Sequence, residues 1–108
     1  MPFSESLAAR TRDALARRSG ITEQRMFGGL CFLLHGNILV GVRRDSLIAR
    51  LGEEEASKAL KKSYVTQMGT RHPMKGWVII DADGIDSDRQ LASWIEKSIE
   101  FVGMLPAK

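Results

Sequence analysis

Apolar residues crowd into three short runs near the middle of the chain, at positions 30–34, 38–42 and 47–51. Runs of this length, rich in Val, Ile and Leu and broken by Gly36-Asn37 and by residues 43–46, predict neighbouring strands joined by tight turns. Glycine at the first central position fits a type II′ hairpin over Gly36-Asn37. That register sets Leu34 opposite Leu39, Leu33 opposite Val40 and Cys31 opposite Val42. With Arg44-Asp45 at the centre of the next turn, Val42 faces Leu47 and Val40 faces Ala49. One sheet face then carries Cys31, Leu33, Ile38, Val40, Val42, Leu47, Ala49 and Leu51, and belongs under the helices. The other carries Leu30, Phe32, Leu34, Leu39, Gly41, Arg43, Ile48 and Arg50. It is too apolar to be simply wet, so Phe32, Leu39, Arg43, Ile48 and Arg50 are candidate interface residues.

The flanks read mostly as helix. Residues 4–19 read as a helix whose apolar stripe is Phe3, just before it, with Leu7, Ala14 and Leu15, and Ala8 beside them, with Ser4 as the cap and Gly20 as the stop. Residues 21–27 form a strand leading to Gly28-Gly29. That pair is either a turn between two strands or a bend within one long strand, and the bend is favoured. Glu53, Glu54 and Glu55 open a short helix that reaches Lys61-Lys62, acids first and bases last as the helix dipole prefers. Residues 64–68 and 77–80 are strands. Asp81-Ala82-Asp83-Gly84 is turn chemistry. The last helix, capped by Asp86, Ser87 or Asp88, presents Leu91, Trp94, Ile95, Ile99 and Val102 on one broad face. No repeat or linker divides the chain, so residues 1–108 are expected to be one domain.

Composition narrows the class without naming a function. The 108 residues carry a net charge of +3, and 44% of them are hydrophobic, as in an ordinary globular domain. No apolar stretch approaches the ~20 residues of a membrane span. The opening lacks the apolar core of a secretory signal, and one cysteine excludes an internal disulfide. A cytoplasmic protein is expected. The net charge permits weak contact with nucleic acid, but the basic residues are dispersed, which favours a solvated surface.

A search for chemistry finds no assembled set. His35, His72 and Cys31 lack metal-ligand spacing, so neither metal nor cofactor is expected. Cys31 points inward in the register above, where a thiolate is disfavoured. Asp81, Asp83 and Asp86 resemble part of a calcium loop without its closing glutamate. No catalytic residue is assigned, and an enzyme ranks last. The most suggestive cluster is Arg71, His72, Lys75 and Trp77. Two permanent cations, a histidine and an indole on one loop suit an anion or an aromatic ligand.

The residues Arg25-Met26-Phe27-Gly28-Gly29-Leu30, the strand after them, Gly36-Asn37, and Pro73-Met74-Lys75-Gly76-Trp77-Val78 resemble the stand-alone form of the TfoX N-terminal domain family. The resemblance spans nearly the whole chain. It implies an α+β domain ordered α-β-β-β-α-β-β-α, an antiparallel sheet packed by helices, similar to YgaC-like and secretion-chaperone-like domains. Full-length TfoX proteins regulate competence genes and possess a second, C-terminal domain, and the family supplies no catalytic residues to transfer. The expectation is a non-enzymatic binding or regulatory module acting through protein contacts, with a homodimer through the second sheet face as one form. A small-molecule or anion site on the 71–77 loop is the alternative, and weak nucleic-acid binding a third.

Overall fold

The computed structural model describes residues 3–26, 28–69 and 71–108. Helix α1 (Glu5–Ala14) starts where Ser4 Oγ accepts the Leu7 N–H at 3.1 Å. Four strands follow: β1 (Ile21–Met26), β2 (Gly29–Leu34), β3 (Asn37–Arg43) and β4 (Ser46–Arg50). Helix α2 (Glu53–Ala59), strands β5 (Val65–Gln67) and β6 (Trp77–Ile80), and helix α3 (Asp88–Val102) complete the order. The α+β class and the succession of a helix, a strand group, a short helix, two strands and a long helix are those expected from the sequence. The strands form one antiparallel sheet ordered β1-β2-β3-β4-β6-β5.

Two turns differ from expectation. Gly28-Gly29 is not a bend, because Met26 pairs with Gly29 and β1 runs back along β2. Gly28 has φ +72°, and a Cβ on Gly29 would lie 2.1 Å from the Val42 carbonyl oxygen. The reversal thus needs glycine for its backbone at one position and for close approach at the next. The strand group therefore holds four strands, with the first long strand folded on itself. Phe27, which the reading placed in that strand, lies outside the described residues.

The second difference is the β2–β3 turn. Leu34 pairs with Asn37, so His35 and Gly36 are its central residues. Both have positive φ, 51° and 85°, which makes the turn type I′ rather than II′. The slip turns β2 over. Leu30, Phe32 and Leu34 face the helices, and Cys31 and Leu33 face away. A bulge beside Phe32/Leu33 absorbs the extra residue, so Phe32 opposes Val40 and Leu30 opposes Val42. The β3–β4 register matches the reading, with Val42 opposite Leu47 and Val40 opposite Ala49.

One hydrophobic core lies between the sheet and the helices. It includes Phe32, Leu39, Val40, Val42 and Leu47 from the sheet, Leu7 and Ala8 from α1, and Leu91, Trp94 and Ile95 from α3. A large side chain buried here contributes ~1.5–3 kcal/mol. Phe32 and Leu39 are fully buried in this core, so they offer no surface to a partner. Ser87 is the cap that α3 uses, in a reciprocal capping box with Gln90. Trp94 Nε1 donates to the Gly84 carbonyl at 3.0 Å, fastening α3 to the turn after β6. Arg10 joins α1 to the same region through Asp88 at 3.0 Å and the Ile85 carbonyl at 2.8 Å. No helix among the described residues is long and apolar enough to cross a membrane.

Candidate functional site

The loop from β5 to β6 is held by the Gln67 side chain together with backbone bonds. Gln67 Nε2 donates to the Met74 carbonyl at 2.8 Å and to the Met68 and Trp77 carbonyls at 3.3 Å. Met74 N–H donates to the Met68 carbonyl at 2.9 Å, which closes the loop across its base. Gly69 has φ +87°, and a Cβ there would meet the His72 carbonyl oxygen at 2.4 Å. The loop then crosses the β4–α2 junction. The Leu51 and Gly52 N–H groups both donate to the Gly76 carbonyl, at 2.8 and 3.1 Å. The loop that carries Pro73-Met74-Lys75-Gly76-Trp77 is therefore a fixed support, with its position set by backbone contacts.

This support divides the four loop residues singled out in the sequence. Lys75 and Trp77 line a cavity of about 430 Å³ with Arg50, Gly52, Glu53, Gly76 and Phe101. Arg71 and His72 are exposed and do not line it. Arg50 joins the cavity because it pairs directly with Trp77 across β4 and β6. Its guanidinium carbon lies 5.2 Å from the Trp77 ring centre and 5.8 Å from that of Phe101. Cation–π contacts of this kind are worth ~0.5–1 kcal/mol each at exposed sites, and they fix a flexible side chain in place. Among the described residues, neither Arg50 nor Lys75 has a carboxylate within ion-pair distance.

A second cavity of about 280 Å³ adjoins the first and shares Gly52, Glu53 and Phe101 with it. Its other walls are Leu51, Glu54, Glu55, Lys97, Glu100 and Met104. The Phe101 ring lies over Gly52, where a Cβ would come within 2.6 Å of it. The two cavities thus make one groove. Arg50 and Lys75 lie at one end, Glu54, Glu55 and Glu100 outnumber Lys97 at the other, Glu53 lines both, and Phe101 and Leu51 supply an apolar floor. Lys58 lies 3.8 and 3.9 Å from Glu54 and Glu55, while Glu53 and Glu100 have no such partner among the described residues. Met104 beside them is 77% exposed.

The interface residues expected on one sheet face are dispersed. Phe32 and Leu39 are in the core, as described above. Ile48 is buried on the opposite side of the sheet, with Gly41 and Ile79 as its cross-strand partners. Arg43 sits opposite Ser46 by the β3–β4 turn, half-buried. Burial pushes the Cys31 thiol up to about 11. Among the described residues, no three His, Cys, Asp or Glu side chains cluster closely enough to hold a metal. The sequence reading missed Phe101 and the glutamates as groove walls. Phe101 is an aromatic residue beside the buried stripe of α3, and that position is the signal that points to it.

A family model for the TfoX N-terminal domain matches residues 13–102. No curated protein and no solved structure matches the chain. The matched span runs from the last residues of α1 to the last residue of α3, taking in the whole sheet and both sides of the groove. The chain belongs to the TfoX N-terminal domain family.

Proposed function

We propose that this chain is a non-enzymatic binding module that regulates through protein contacts, and that its groove receives an extended segment of a partner protein. The observation that carries this reading is the order of groups along the groove. Two cations, an aromatic and aliphatic floor, and an end where Glu54, Glu55 and Glu100 outnumber Lys97 follow one another across the shared residues Gly52, Glu53 and Phe101. A segment offering an acidic, then an apolar, then a basic side chain complements all three regions. Charge matching of this kind sets orientation and partner choice, and the apolar centre supplies affinity. Arg50 is already held in cation–π contact with two rings, so little side-chain entropy is lost when an anion reaches it. Family membership supports a regulatory role of the kind exercised in competence and transcription.

Selection of a random peptide library displayed on phage tests this reading. Enriched peptides should carry the acid–apolar–base order, and Arg50→Glu should weaken them by about tenfold or more, ~1.4 kcal/mol. Peptides without that order, or binding unchanged by both Arg50→Glu and Phe101→Ala, would overturn it.

A further inference from the structure

The sheet has two edges, and they are unlike. β5 at one edge has three residues, too short to offer much pairing. β1 at the other has six, with no proline and an unbroken register against β2. Its four central residues are all exposed. The His35 N–H bonds the Gly20 carbonyl at 2.9 Å in the same register. Antiparallel ladders alternate bonded and non-bonded pairs. Thr22, Gln24 and Met26 therefore use their backbone groups on β2. Ile21, Glu23 and Arg25 turn theirs outward, to an edge that no other strand among the described residues pairs with.

We propose that a second copy of this chain docks on that edge, the two β1 strands pairing antiparallel about Gln24 to give one twelve-stranded sheet, twice the six strands of a single chain. In this register Glu23 of each copy lies directly opposite Arg25 of the other, and both bring outward backbone groups to the shared ladder. Gln24 faces its own copy in a non-hydrogen-bonded pair. Sliding by one pairing step centres the contact on Glu23 or on Arg25 and sets like charges opposite each other, which is unfavourable. Charged residues commonly protect an edge from pairing. Here they have opposite sign two positions apart, so they select one register instead of blocking all of them. Arg12 already holds Glu23 by two hydrogen bonds, at 2.6 and 2.8 Å. The Arg25 guanidinium lies 5.6 Å from the Phe3 ring centre. Both charges are thus placed before a partner arrives.

Sedimentation of the full chain, with circular dichroism to verify folding, provides the test. The native chain should dimerise, less so as salt rises. Glu23→Arg and Arg25→Glu should each lower association by about tenfold or more. An equimolar mixture of the two should restore it, since each repulsive pair becomes an attractive one. Gln24→Cys gives an independent readout on a solvent-facing position, made together with Cys31→Ala because Cys31 is the cross-strand partner of Gln24 and would otherwise link to it within one copy. Mild oxidation should link two copies through residue 24, because paired Cα atoms at such a site stand ~4.5 Å apart, within disulfide range. Thr22→Cys, which lies opposite Met26 of the other copy, should not link to itself. A native chain still monomeric at on the order of 100 μM, a mixture that fails to associate although both variants fold, or equal linking at residues 22 and 24 would overturn the proposal.

Discussion

Gly28 and Gly29 stand side by side and are glycine for different reasons. The first lies at φ +72°, where an L side chain costs ~1–2 kcal/mol. The second meets the Val42 backbone, which cannot rotate away as a side chain would. Gly28→Ala should therefore lower stability by about 1 kcal/mol and Gly29→Ala by about 3 kcal/mol, as read by urea unfolding. Equal effects would contradict the close-approach argument. Cys31 shows what burial does to a single titrating group. Its thiol is pushed up to about 11, whereas the ordinary value is 9.0. Between those two values the unfolded chain releases a proton that the folded chain keeps. The associated stability is complete below pH 9.0 and is lost as pH rises toward about 11. Unfolding measured at about pH 8 and about pH 10 should show this fall in the native chain and not in Cys31→Ala.

Elements were legible where their signals are local. The capping box of α3 is one such case. Asp86, Ser87 and Asp88 all qualify as caps by type, and Gln90 selects Ser87 because only that spacing returns a bond to the cap. The β2–β3 hairpin was less legible. Both candidate turns contain Gly36, and glycine tolerates either central position. Contacts distant in sequence favour the turn that forms. Asn37 Nδ2 donates to the Pro106 carbonyl at 2.9 Å, Lys108 N–H donates to the His35 carbonyl at 2.9 Å, and Gly20 leaves room for the His35 ring. None of these has a local signature. The groove was half legible for the same reason. Lys75 and Trp77 share a short motif, while Arg50 and Phe101 reach them only through strand pairing and helix docking. At this scale Gln67 is the decisive residue of the β5–β6 loop. Gln67→Ala should cost about 1–2 kcal/mol and leave Trp77 more open to acrylamide quenching. Unchanged quenching would mean that the Gly76 backbone bonds suffice.

For the whole molecule, periodicity and turn grammar were enough to place three helices and the strand groups around one core. They were not enough to orient β2, since a one-residue change in a turn exchanges the faces of a strand. In β2 both faces are apolar, with Leu30, Phe32 and Leu34 on one and Cys31 and Leu33 on the other, so hydropathy gave no preference. The bulge at the β2–β3 pair then spared β3 from Val40 onward and β4 from the same reversal, while Leu39 turned into the core and Ile38 out of it. The sheet order has a kinetic consequence. β1 to β4 are joined by tight turns and pair in sequence, so each step closes a short loop at small entropic cost. β5 cannot join them in turn, because its only strand partner among the described residues is β6. β6 must first cross α2 and the 68–76 loop to reach β4. Folding should therefore begin in the meander and end with the last two strands. Pulsed hydrogen exchange during refolding should protect the amides of β2 and β3 before those of β5, and simultaneous protection would show that the sheet closes in one step.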